Sequence, residues 1–524
     1  MEPSPLADYA RARAADSFGA PEDAARSYAA ALAIAPDNPV LAAAAFRQAF
    51  AIGDKALAVS AARALDRAGS LGPDGRLVLF AEAVTRKNWT LATRELDRLR
   101  DDPIFSHLTP TLDAWLAVGR GKGDPLAPIG AIRDNPLAAA YAADHRPFLL
   151  FAKGKTKEGM AALSATGVLP PRLSIAAAAH VARRDRKAAL ALLEGEGAAL
   201  AAARDRIEAG QTLRPVIATA PQGMAELLLR LAADAAAAEA PELALTLSRT
   251  ATFLAPGNAS PWLVTAELLA GQERHDAALT ALARVSADDS FGADASDLRL
   301  RIMSGSGRGD GAVAEAQAAV AARPGSVGGW ARLGDLLSQL GRDGEAAQAY
   351  GRALDLVRGG TRAPQPEWTL WLLKGSALTQ SGAWPEGKAA LEEAYRLAPE
   401  QAVVLNYLGY SQLERRENLA EAERLIREAS KLQPDDAAIT DSLGWALYVR
   451  GDVRGAIEHL ERASRAQPAD SAINEHLGDA YYTAGRRFEA RYAWQAALIY
   501  AETEAADRLK AKLVAGLNPA LAAP

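Results

Sequence analysis

Six histidines, one glycine-rich run and a complete lack of cysteine bound the chemistry open to this chain of 524 residues. Metal ligands and catalytic bases need short, regular spacings, and His107, His145, His180, His275, His459 and His476 show neither His-Glu-x-x-His nor another ligand pattern. Without thiols there are no disulfides, thiolate metal sites or cysteine nucleophiles. The run 304–311, Ser-Gly-Ser-Gly-Arg-Gly-Asp-Gly, has the glycine density of a phosphate loop. No Gly-Lys-Ser/Thr follows it and no strand pattern precedes it, so it reads as a turn between helices. The Gly-x-Ser-x-Gly of a serine hydrolase does not occur. Arg308-Gly-Asp310 and Arg450-Gly-Asp452 fall where turns belong, and Asn88-Trp-Thr90 and Asn258-Ala-Ser260 match a glycosylation pattern short enough to arise by chance. The expectation is a protein that is not an enzyme, with no metal and no cofactor; hidden chemistry has room only in residues 107–224.

The elements available to position any binding residue are helices. The chain is 49% hydrophobic, only 6% aromatic, and rich in alanine, the strongest helix former and small enough to let helices cross closely. No run alternates polar and apolar residues as a half-buried strand does, so an all-α fold is expected. The 59 basic and 64 acidic residues are interspersed and leave a net charge of −5. Nucleic-acid binding needs a concentrated positive surface, so DNA and RNA are not expected partners. No apolar run reaches the roughly 18 residues of a spanning helix. Met1-Glu2-Pro3-Ser4-Pro5 has neither a basic start nor an apolar stretch, so as written the chain is expected to be soluble, cytoplasmic and without a signal peptide.

A repeat organises the second half. Gly334, Gly375, Gly409, Gly444 and Gly478 follow Leu or Lys in one local context, at steps of 41, 34, 35 and 34 residues. Ala346, Ala422, Ala456 and Ala490 follow in register; then come Tyr350, Leu391, Ile426, Leu460 and Trp494, and three residues later Ala353, Ala394, Ala429, Ala463 and Ala497. Pro399, Pro434 and Pro468 close three of the units, since proline lacks the amide donor that continues a helix. Small residues at Gly444 and Ala456 predict two helices crossing closely, with Leu443 and Leu460 filling the seam. One such unit cannot bury its own apolar face, so units must stack.

These residues resemble the tetratricopeptide repeat family. The likeness is closest over 327–504 and continues in phase upstream, with Pro256, Pro324 and Trp262, and at the start of the chain with Ala24, Tyr28, Ala31 and Pro36. It implies a right-handed α-solenoid of antiparallel helix pairs. The expected organisation is N-terminal repeats over 1–118, a Gly/Pro-rich linker over 119–136, divergent helical repeats over 137–224, an array over 225–504 with an insert loop at 359–367, and a capping helix and tail over 505–524. Arg508, Lys510 and Lys512 are expected to point outward from that cap.

The resemblance also implies that the first helix of each unit lines a groove. Asn406, Tyr410, Asp441, Trp445, Tyr448, Glu475, Asp479 and Tyr482 then form the expected protein- or peptide-binding stripe, aromatic for contact area and acidic for basic partner residues. The carboxylate clamp of chaperone-binding relatives is not reproduced, because Ala331, Leu372, Asp441 and Glu475 stand where it needs cations. The runs Asn406-Tyr-Leu-Gly-Tyr410, 439–445 and 473–479 also look like the repeats of bacterial cell-envelope adaptors, including lipoprotein partners of a carboxyl-terminal processing protease. That likeness implies an adaptor, periplasmic if the natural protein has a leader. The alternative is a regulatory protein that senses a peptide or small ligand in the groove.

Overall fold

The computed structural model describes residues 5–167, 169–213, 217–519 and 521–523, and among them every regular element is helical. The chain forms two compact units, Met1–Gly309 and Asp310–Pro524.

The first unit opens with three helix pairs: α1 (Pro5–Ser17) with α2 (Pro21–Ile34), α3 (Pro39–Ile52) with α4 (Lys55–Arg67), and α5 (Pro73–Thr85) with α6 (Trp89–Asp97). Proline opens α2, α3 and α5, where its missing N–H is no loss, and Asn38, Asp54 and Asn88 cap α3, α4 and α6 by accepting from backbone amides. The period then breaks. Helices α7 (Thr109–Arg120), α8 (Leu126–Gly130), α9 (Pro136–Ala152), α10 (Thr156–Ser164), α11 (Pro171–Val181), α12 (Arg186–Ala191) and α13 (Ala198–Glu208) run from 5 to 17 residues in length. Regular pairs resume with α14 (Ala220–Ala237) and α15 (Pro241–Leu254), then α16 (Ala259–Gly271) and α17 (His275–Leu282), followed by α18 (Gly292–Gly305).

Two contacts tie distant parts of this unit together, the first of them holding the irregular stretch. Trp115 of α7 is buried against Gly223 of α14, where a Cβ would stand 2.0 Å from its ring, and its Nε1 donates to His145 Nδ1 at 3.1 Å. Arg249 of α15, also buried, donates to the carbonyls of Phe50 and Ala51 at the end of α3, and Arg274 donates to Ala51 as well. Burial holds the Arg249 guanidinium down to about 10. Residues 119–136, expected as a linker, contain α8 and bury Ile129 in the same core as Trp115, so they do not separate one body from another. The boundary between the units falls instead within the 225–504 array.

The second unit continues from α19 (Gly309–Ala322) through five pairs: α20 (Val327–Gln339) with α21 (Asp343–Arg358), α22 (Glu367–Gln380) with α23 (Trp384–Leu397), α24 (Ala402–Glu414) with α25 (Leu419–Leu432), α26 (Ala437–Val449) with α27 (Val453–Ala466), and α28 (Ser471–Thr483) with α29 (Arg487–Tyr500). A last helix, α30 (Thr503–Ala515), packs on α29. The seam is as the spacing predicts. A Cβ built on Gly334, Gly375, Gly409, Gly444 or Gly478 would lie 2.6 Å from Tyr350, 2.7 Å from Leu391, 2.8 Å from Ile426, 2.7 Å from Leu460 or 2.3 Å from Trp494. Pro324, Pro399, Pro434 and Pro468 each stand two residues past a helix end. The extra residues of the long step divide between α21, which has 16 residues against 14 in α23, and a loop over 359–366; Glu367 already belongs to α22.

The glycine-rich motifs are turns. In 304–311 the chain leaves α18, turns at Gly307 with φ of 76°, and enters α19. In Arg450-Gly-Asp452, Gly451 takes φ of 91° and Asp452 caps α27 through the Gly455 amide. That left-handed backbone suits glycine, and an aspartate after it starts the next helix.

Candidate functional site

The first helices of successive repeats pack on one another, α22 on α24, α24 on α26 and α26 on α28, and so form an inner face. The spacing of about 34 sets Asn406, Asp441 and Glu475 in one row across it, and Tyr410, Trp445 and Asp479 in the next. Tyr448 and Tyr482 belong to a third row, with Leu413.

The structure brings these residues together, but not as a free stripe. Trp445 is fully buried and stacked between Tyr448, with ring centroids 4.7 Å apart, and His476, at 4.2 Å. Asp441 is buried with both carboxylate oxygens within 3.0 Å of His476 Nδ1. Burial pulls the His476 imidazole down, yet Asp441, Asp479 and Glu475 outweigh it and leave its pKa raised. Glu475 takes two hydrogen bonds of 2.8 Å from Arg508 and one of 2.6 Å from Lys512. Burial alone would raise its pKa, but these two cations hold it below the usual range. Asp479, wholly buried, accepts from Lys512 at 2.8 Å on both oxygens, from Trp494 Nε1 at 2.9 Å and from the Ala523 amide at 2.8 Å. Desolvation still raises its pKa.

Asp441, Trp445, Glu475 and Asp479 therefore do not present side chains to a partner in this conformation. Their acids are hydrogen-bonded from within, Asp441 to His476 and the other two to the cations of α30. Of the three basic residues expected to point outward from the cap, only Lys510 does so, paired with Asp507; Arg508 is partly buried, and Lys512 completely. The cap itself is present, with Leu509 buried beside Trp494. Asn406, Tyr410, Tyr448 and Tyr482 stay partly exposed. Tyr448 shares a hydrogen bond of 2.9 Å with Thr483, and the Asn406 Oδ1 is buried without a partner. Burial, then the nearby carboxylates of Glu414 and Asp441, push the Tyr410 hydroxyl far above its ordinary pKa.

Spacing alone does not reveal the roles of His476 and Arg508. A signal for Lys512 exists: it stands 34 residues after Gly478, in the seam position of a sixth first helix. Among the described residues no three carboxylate or imidazole side chains are arranged to hold a metal ion, and no helix is long and apolar enough to cross a membrane.

Comparison with known proteins agrees with the helix-pair construction. Residues 327–356, which are α20 and most of α21, match the family model of the tetratricopeptide repeat. No curated protein matches the chain. Among solved structures, yeast Tom70 is similar at 15% identity over 99% of this chain and 98% of its own, with a TM-score of 0.38. The Cut9-Hcn1 hetero-tetramer of APC/C gives 16%, 98% and 96%, with a TM-score of 0.39. A tetratricopeptide repeat protein from Parabacteroides merdae gives 12%, 50% and 99%, with a TM-score of 0.40. At these TM-scores the likenesses carry no argument about this chain. Residues 327–356 form a tetratricopeptide repeat, and the four helix pairs that follow, from Gly375 on Leu391 to Gly478 on Trp494, are built on the same seam.

Proposed function

We propose that the chain is a non-enzymatic scaffold that holds an extended segment of another protein along the inner face of α24, α26 and α28. The observation that carries this is that Asn406 and Tyr410 of α24, Tyr448 of α26 and Tyr482 of α28 are all partly exposed on successive first helices. Tyrosine offers rigid, amphipathic contact area at small entropic cost. Replacing Tyr410 and Tyr448 together by alanine should abolish co-purification of a partner with the full chain while leaving helix content unchanged. Undiminished co-purification would refute the site. Trp445 is excluded from that test, because its removal opens a hole in the core.

The likeness of 406–410, 439–445 and 473–479 to envelope adaptors supports a finer reading, in which the partner is a processing protease or an assembly factor and the work is done in the periplasm. Cell fractionation that finds the natural protein wholly cytosolic would remove it.

A further inference from the structure

Helix α29 has an apolar side that its own repeat does not use. Phe488, Tyr492 and Ile499 are 76%, 64% and 73% exposed, on the side of the helix opposite the buried Ala490, Trp494 and Ala497. The rings of Phe488 and Tyr492 adjoin, with centroids 6.3 Å apart. Measured from Trp494 in the seam, Phe488 and Tyr492 stand six and two residues before it, and Gln495 and Ile499 one and five after. The same positions about Leu460 in α27 include Arg454, Glu458 and Arg465, and about Ile426 in α25 they include Arg424, Arg427 and Lys431, all exposed. Those of α21 and α23 hold no large apolar residue either. Packing within a repeat therefore asks for nothing apolar here, and an exposed apolar row of this kind marks a surface that another element covers.

We infer that this side of α29 is a dimer interface, covered by α29 of a second copy of the chain lying antiparallel about a two-fold axis. The inference does not depend on the scaffold reading, whose residues lie on first helices. Spacing comes first. Phe488, Tyr492, Gln495 and Ile499 follow one another by four, three and four residues, the spacing of a coiled-coil seam, and fall within about 60° of one another around the helix. Self-complementarity comes next. With the axis level with Ala493 and Trp494, Phe488 meets Ile499 of the second copy and Tyr492 meets Gln495, so ring lies on aliphatic chain and phenol faces amide. The two-fold makes each of these contacts twice.

Charge sets the direction. Arg487 and Arg491 stand at the start of α29, and Glu502 and Glu504 just past its end. In the antiparallel arrangement the basic end of one copy meets the acidic end of the other, whereas a parallel one sets like ends together. Area sets the strength. A covered aromatic side chain buries roughly 150 Å² or more, so two copies of this row approach the roughly 1,000 Å² of a specific but weak interface. The dimer is therefore one that forms and dissociates with concentration.

Sedimentation equilibrium of the full chain tests this between about 1 and 100 μM, the range in which an interface of this size dissociates. The mass should rise from that of one chain to that of two. Phe488→Lys and Ile499→Glu, made separately, each set two charges against apolar side chains across the axis and should raise the dissociation constant at least about tenfold. An equimolar mixture of the two variants should recover the dimer, because the new lysine of one chain then meets the new glutamate of the other while the remaining Phe488 and Ile499 still meet. Both positions face solvent in the single chain, and recovery on mixing does not come from misfolded protein. A natural chain that stays monomeric throughout assigns the row to a helix of a different protein and overturns the inference. Single variants that dimerise as the natural chain does, or a mixture with no more dimer than its components, overturn it as well.

Discussion

Lys512→Met asks whether the end of the second unit is held by charge. The ammonium is wholly buried, 2.6 Å from Glu475 and 2.8 Å from both oxygens of Asp479. Methionine keeps much of the stem volume and removes the charge with its donors. Glu475 retains its two bonds from Arg508, while Asp479 is left with Trp494 Nε1 and the Ala523 amide. Breaking a buried ion pair from one side costs about 3–5 kcal/mol, and the surviving donors place this case near the lower end. Stacked repeats open locally, so the loss should appear as amide exchange in α28 and α30 faster by a factor on the order of 100. Adding Asp479→Asn removes the stranded charge but leaves one acceptor oxygen for the two donors, Trp494 and Ala523, that bond to different oxygens of the carboxylate; exchange should then return part of the way. Hydrogen exchange read by mass spectrometry on peptides from 471–515 decides it. Unchanged protection in the single variant, or a double variant worse than the single, refutes the buried pair as the fastening.

Gly444→Leu places a side chain where even a Cβ meets Leu460 at 2.7 Å, so it should cost roughly 1–3 kcal/mol by overpacking, seen as a lower denaturant midpoint. The two units should answer pH in opposite directions. Burial pulls His145 down to about 3, so the first unit loses stability as pH falls below the ordinary histidine value, where the unfolded chain binds a proton that the folded one refuses. His476 is shifted up, so its contribution is whole below the ordinary histidine value and fades as pH rises through the raised one. Exchange protection compared at acid and alkaline pH should therefore cross over between α7–α9 and α26–α28, and His476→Gln should flatten the second response; parallel responses would contradict both assignments.

What the sequence shows plainly is what repeats impose locally. Gly334, Gly375, Gly409, Gly444 and Gly478 are legible because two helices crossing at that distance leave no room for a Cβ, and the same demand returns with every pair. Turns are legible for the same reason: Gly451 and Asp452 each meet a local need, a left-handed backbone and a helix cap. In the first unit the packing of Trp115 on Gly223, and of Arg249 on the end of α3, joins residues far apart at no fixed period, so spacing does not reveal it. The glycines and prolines of 119–136 do break helices, as composition predicts. Composition says nothing of whether Ile129 is buried, and that burial decides whether the stretch is a linker.

The candidate site resists sequence reasoning for a different cause. Acidic and aromatic residues recurring on first helices look the same in sequence whether they face solvent or are satisfied from within. The difference lies in α30, which departs from the repeat while keeping its register: Lys512 falls 34 residues after Gly478 and Gly516 falls 34 after Tyr482. Glycine is demanded at the seam only where a second helix crosses the first. No second helix follows α30 among the described residues, so the demand lapses there and the position is free for a long side chain. A lysine placed there is stable only if its charge is met, and the nearest carboxylates in register are Glu475 and Asp479 of the preceding first helix. A cation in the seam position of α30 thus withdraws the acids of the preceding first helix from solvent by the same contact.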